Sequence, residues 1–100
     1  MKIIISRCYG GFAVSKSIYD ELGLEWDHLG EIDNDVLGIT SDDYYAFRYD
    51  LRFVAAVEKV GVEEASGDLA ELEVVEIPDD DEYEIYEYDG AESIISSSMG

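Results

Sequence analysis

Few side chains in this sequence could do covalent chemistry. Cys8 stands beside Gly10 and Gly11, and His28 is the single histidine, so a thiol nucleophile with an imidazole base is the catalytic pairing on offer. With 25 acids, 6 bases and a net charge of −19, the chain is a poor setting for a thiolate. No set of oxyanion donors accompanies the pair, and an isolated cysteine commonly serves as a small buried apolar residue. The run CYGGF matches neither glycine-rich phosphate-binding pattern, and the same net charge repels phosphate. Asp33-Asn34-Asp35 with Gly38 resembles the start of a calcium loop. In that register, however, Leu37 takes the fifth position and Tyr44 the twelfth, where oxygen ligands are required. These residues assign no catalytic group, no metal site and no cofactor, and the chain reads as a non-enzyme.

Carboxylates remain. Ala70–Gly90, reading AELEVVEIPDDDEYEIYEYDG, contains no Lys or Arg, and the last basic residue of the chain is Lys59. Residues i and i+2 on one strand face lie about 6.5–7 Å apart. Glu71 with Glu73, and Glu82 with Glu84, therefore space like charges much as successive phosphates are spaced along a nucleic-acid strand. Like charges across a hairpin cost stability, so folding gains nothing from them. A solvated face or adaptation to a salty cytoplasm is the plain explanation; a surface imitating a duplex is the functional one, and it is preferred. The expected partner-binding surface comprises Glu71, Glu73, Glu76, Asp79, Asp80, Asp81, Glu82, Glu84, Glu87 and Asp89, centred on the turn Asp79–Asp81. Asp33, Asp35, Asp42 and Asp43 form a second patch. Such a surface suits the basic DNA-binding face of another protein and avoids nucleic acid and anionic membranes.

The elements that must position these residues follow from pattern. Lys2–Ser6 (KIIIS) is a continuous β-branched run, as in a strand buried on both faces. Ser15 and Gly23 bracket a helix at Lys16–Leu22, with Val14 and Tyr19 placed for a hydrophobic staple. Asp50 and Gly61 bracket a second at Leu51–Val60, with Leu51, Val54, Ala55, Val57 and Phe53 directed inward and one further turn at Val62–Ser66. Tyr44–Tyr49 reads as a short strand. Leu69–Ile77, Glu82–Asp89 and Glu92–Ser96 read as strands joined by the Pro78-led turn and the Asp89-Gly90 turn. Alternation slips at Val74-Val75 and at Ile85-Tyr86, which predicts a bulge or strong twist. The expected fold is one α+β domain spanning 1–100: an antiparallel β-meander joined by the N-terminal strand, with two helices packed on one face.

One hundred residues support one modest core, and 47% hydrophobic content with 12% aromatics argues against disorder despite the net charge of −19. A single cysteine excludes a disulfide framework, and no window has membrane-spanning length. A monomer in the cytoplasm is expected.

The opening IIISRCYGGFAVS and the later GVEEASGDLAELEVVEIPDDDEYEIYEYDG resemble a family of small phage and prophage proteins. Its members share an I-x-R-C-Y-G-G-F-x-x-S opening, an E-E-A-[SN]-G segment and a V-E-I-P-D-D…Y-D-G ending. The likeness covers about half the chain; residues 24–49 depart from it, and the ending SIISSSMG replaces a longer basic or aromatic tail. The resemblance implies mobile-element origin. Strongly acidic phage proteins as a class resemble inhibitors of host defence, namely anti-CRISPR proteins and anti-restriction DNA mimics. The implied function is an anti-CRISPR inhibitor blocking DNA binding by an effector complex in the host cytoplasm. The alternatives are a protein–protein inhibitor with aromatic anchors from 24–49, or a salt-adapted accessory phage protein without a specific partner.

Overall fold

Ile3, Ile4 and Ile5 are each fully buried, which requires apolar cover on both faces of the strand that carries them. In the computed structural model, which describes residues 1–8, 11–68 and 70–96, that cover is present. Strand β1 (Lys2–Ser6) pairs antiparallel with β2 (Leu72–Glu76). Ile4, Leu72 and Val74 face a cluster built from the helices, including Ile18, Tyr19, Phe53 and Val57. Ile3, Ile5 and Val75 face a second cluster with Ile77, Tyr83, Ile85 and Ile94. The latter comes largely from the hairpin of β3 (Tyr83–Tyr88) and β4 (Ala91–Ser96). Helices thus lie on one face of β1–β2 and the hairpin covers the other.

The α+β class is as the pattern implies, but the strands do not form one meander. The sheet order is β1–β2 and, separately, β3–β4. Both registers run without a bulge: Ile4 opposes Val74 and Ile3 opposes Val75, while Ile85 opposes Ile94. The slip at Val74-Val75 has another cause. Both faces of β2 are covered, so neither side need be polar.

Helix α1 (Lys16–Leu22) and helix α3 (Leu51–Val60) occupy the predicted spans. Gly23 closes α1 at φ 71°, and Leu24 N–H returns to Tyr19 C=O at 2.8 Å. Ser15 holds the cap position without a side-chain bond; instead its N–H is held by Ala65 C=O at 2.8 Å. The Asp50 carboxylate accepts Arg52 N–H at 2.9 Å and Phe53 N–H at 3.3 Å, fixing the start of α3. Its buried stripe is Phe53, Val54, Ala56 and Val57, whereas Leu51 is 86% exposed and Ala55 is also exposed. Two single-turn helices, α2 (Asn34–Leu37) and α4 (Val62–Ala65), complete the helical layer.

Residues 44–49 are not a strand. The Asp43 carboxylate takes Tyr45 N–H at 2.9 Å, its carbonyl takes Ala46 N–H at 3.1 Å, and a 3-10 turn follows over Ala46–Tyr49. This local Asp-to-backbone bonding overrides the strand preference of the tyrosines. The start of the predicted strand at Leu69 lies outside the described residues.

Arg48 and Glu92 join the layers. Within β1–β2, Arg7 N–H meets Glu71 C=O and Ile77 N–H meets Met1 C=O, both at 2.8 Å. Odd-numbered residues of β1 therefore bond β2, and the even-numbered ones turn their backbone groups to the other edge. There Glu92 Oε1 accepts Ser6 N–H at 2.9 Å, and Arg48 Nη1 donates to Ile4 C=O at 3.2 Å. The two side chains also bond each other twice, at 2.7 and 2.9 Å. An ion pair takes the place of a third strand.

Candidate functional site

The distribution of ion pairs sorts the predicted acids. All six Lys and Arg side chains are engaged: Lys2 with Glu58, Arg7 with Glu73, Lys16 with Asp20, Arg48 with Glu92, Arg52 with Asp50 and Lys59 with Glu21. Several sit near the β2 side of the predicted surface. Arg7 neutralises Glu73, and the N-terminal ammonium lies 2.5 Å from Asp79, whose carboxyl it holds below its ordinary pKa. Lys2 is held above its ordinary pKa, first by Glu58 and in smaller part by Glu76. Glu71, Glu76 and Asp80 are exposed, and Asp81 is half-buried. The turn predicted to be the centre of the surface is therefore partly neutralised.

The hairpin acids differ. Glu82, Glu84, Glu87 and Asp89 are exposed and stand in no ion pair among the described residues; Glu87 accepts Gly90 N–H at 3.0 Å, tightening the turn. Because β2 pairs with β1 and β3 with β4, the Glu71–Glu73 and Glu82–Glu84 ladders do not share one sheet face. Like-charge pairing across a β2–β3 hairpin, expected from sequence, does not arise.

Instead, the hairpin acids join the second patch. Asp33, Asp35 and Asp42 surround a hollow of about 480 Å³ whose wall includes Tyr44. Asp33 and Tyr44 also border a hollow of about 370 Å³ with Tyr45, Glu31 and Glu87. Tyr45 leads to a third, of about 460 Å³, lined by Asp43, Tyr83 and Glu84. Tyr83 and Glu84 continue into a fourth, of about 580 Å³, with Asp81, Glu82 and Ile95. Shared walls make a strip of carboxylates interleaved with tyrosines, from α2 to the start of β3.

Its loops are fixed from within. Asp33 caps α2 through Val36 N–H at 3.0 Å. The Asn34 amide accepts Phe47 N–H at 2.8 Å and donates to Asp43 C=O at 2.9 Å, tying α2 to the 3-10 turn. Burial raises the phenols along the strip, and the Asp43 carboxylate adds to it at two of them. Burial, with the Asp43 charge next, pushes the Tyr83 phenol up to about 12. Tyr49 is raised by burial and then by Asp43, to which its hydroxyl donates at 3.2 Å. Tyr45 is raised by burial, against the pull of Arg48.

Arg48 and Glu92, at 4% and 7% exposure, escaped the sequence-based site. A signal existed: on a strand over Glu92–Ser96, Glu92 is in phase with apolar Ile94, which places an acid indoors and demands a cation. Tyr86 and Tyr88, both exposed, also stand outside the acid-defined surface. Trp26, an expected aromatic anchor, is half-buried and packs edge-on against Tyr19 at 5.0 Å, so the core holds it. Cys8 is half-buried beyond β1 and His28 lies exposed in a left-handed turn, φ 66°. Among the described residues no three His, Cys, Asp or Glu side chains converge as metal ligands, and no helix is long and apolar enough to cross a membrane. Comparison with protein-family models, curated proteins and solved structures finds no match.

Proposed function

We propose that this protein is a phage-encoded, non-catalytic inhibitor that occupies the basic DNA-binding surface of a host protein complex, with a CRISPR effector as the favoured target. The observation that carries the reading is the strip itself. Asp33, Asp35, Asp42, Glu82 and Glu84 line joined hollows and stand in no ion pair among the described residues, while every Lys and Arg is already paired with another acid, Arg48 with Glu92 at the wall of the joining hollow. Acids crowded in this way oppose folding, so their retention fits selection for a cationic partner. Electrostatic steering suits an inhibitor that must act early in infection, as a monomer in the host cytoplasm.

The test is DNA binding by a panel of purified CRISPR effector complexes titrated with the protein. One complex is expected to lose DNA binding near one equivalent. Glu82→Lys with Glu84→Lys is expected to weaken that inhibition by roughly a hundredfold, more than Asp79→Lys with Asp80→Lys does. Retained DNA binding across the whole panel would falsify the CRISPR assignment. The aromatic-anchored alternative draws support from Tyr44, 73% exposed beside the strip, and predicts inhibition that survives high salt.

A further inference from the structure

Among the described residues, the hairpin that closes the core on one side has its other side uncovered. Along β3, Tyr83 and Ile85 turn inward, so Glu82, Glu84, Tyr86 and Tyr88 turn outward in a row. Tyr86 and Tyr88 are 59% and 67% exposed, and Ile95, opposite Glu84, is 54% exposed. Opposite the two rings stand only Ser93 and Ala91, too small to cover them. The outer face is thus two carboxylates followed by two open aromatic rings, at a spacing of about 6.5–7 Å. A bare sheet face of this kind is normally covered.

Charge decides the occupant. No Lys or Arg lies on the hairpin, so a second copy would bring matching acids against these, and an anionic lipid surface would be repelled. A cation that also stacks on tyrosine meets both needs. Guanidinium does so, because its plane lies on a ring while its edge pairs with a carboxylate; ammonium lacks the plane. The protein shows the same use internally, with the Arg48 guanidinium carbon 3.5 Å from the Phe12 ring centre and its edge on Glu92. We propose that the outer face of β3–β4 is the docking face for an arginine-bearing segment of the partner, its guanidinium groups stacking on Tyr86 and Tyr88 and pairing with Glu82 and Glu84. This rests on the reading that the partner surface is basic.

The test uses the full chain and two labelled probes, a short oligo-arginine peptide and its oligo-lysine counterpart, followed by fluorescence anisotropy at about 0.05 M and about 0.3 M sodium chloride. Wild type is expected to bind oligo-arginine more tightly and to keep that preference at the higher salt. Tyr86→Ala with Tyr88→Ala, both exposed positions, is expected to lose about tenfold for oligo-arginine and much less for oligo-lysine, removing the preference. Circular dichroism of the double variant confirms the fold. Equal binding of oligo-arginine by wild type and variant overturns the docking face while leaving the basic-partner reading intact. Failure of both peptides to bind at low salt overturns that reading itself. A dimer in sedimentation that the tyrosine variant dissociates overturns the proposal in favour of self-association.

Discussion

At the scale of single residues, the Arg48–Glu92 pair carries the most weight. Breaking a buried pair by removing one partner costs about 3–5 kcal/mol, because the remaining charge is stranded. Glu92→Ala and Arg48→Ala are each expected to lose that much in urea denaturation. Replacing both, as Arg48→Met with Glu92→Leu, removes the stranded charge, yet Ser6 N–H and Ile4 C=O still lose their partners. The double variant is therefore expected to remain about 1–3 kcal/mol below wild type, less than the sum of the singles. Strict additivity would show that the two side chains do not act together. Titration gives a second test. Asp27 is held below its ordinary pKa by Gly30 and Leu29 amides and by Tyr19, and Asp50 is lowered by Arg52 and Phe53 despite opposing burial. Their stabilisation is complete above the unfolded carboxylate pKa, about 4, and is lost as pH falls through the folded values. Tyr19 and Tyr83 are raised, chiefly by burial, Tyr83 to about 12. Their contribution is complete below about pH 10 and is lost as pH rises through the folded values. Thermal melts should therefore fall at both ends, and a flat profile between about pH 10 and 12 would contradict the burial of these phenols.

Among the elements, the segment Ala13–Ser15 shows how loops are set. It passes between Gly30 and Gly67, with Val14 N–H on Gly30 C=O and Gly67 N–H on Ala13 C=O, both at 3.0 Å. Gly30 sits at φ 74°, and a Cβ there would lie 2.2 Å from the Val14 carbonyl oxygen. Gly30→Ala is expected to cost about 2–4 kcal/mol in the same denaturation assay, through strain and a displaced backbone. Helices α1 and α3 were legible because each has a cap residue, a Gly stop and apolar residues at helical spacing within a short window. The 3-10 turn was not, because the local Asp43 bonds that start it compete with the strand pattern of the tyrosines and are completed by Asn34 reaching Phe47 N–H from outside the segment. Exposure of Leu51 was not legible either. An i, i+3, i+4 stripe can be drawn through Leu51 or through Phe53, and only the neighbouring layer distinguishes them.

For the whole molecule, charge dominates. A net charge of −19 on a body with a radius of gyration of 12.9 Å repels itself, and the few bases are already paired. Sodium chloride is expected to raise the melting temperature by about 5 °C between low and physiological ionic strength, by screening. A melting temperature independent of salt would mean that the acids are neutralised in a way the ion pairs do not reveal.

Local pattern and composition were enough to determine that this chain is acidic, ordered and α+β, where its two longer helices begin and end, and that β1 is buried on both faces. These are properties of short windows and of sums, which need no knowledge of what lies across the core. Tertiary structure alone decided that β2 pairs with β1, that the ladders of Glu71–Glu73 and Glu82–Glu84 belong to different sheets, and that the patch at Asp33–Asp43 runs into the hairpin. The physical reason lies in the free edge of β1. A buried arginine and glutamate satisfy it in place of a third strand, and that substitution releases β3 and β4 to form a separate layer whose outer face is left open.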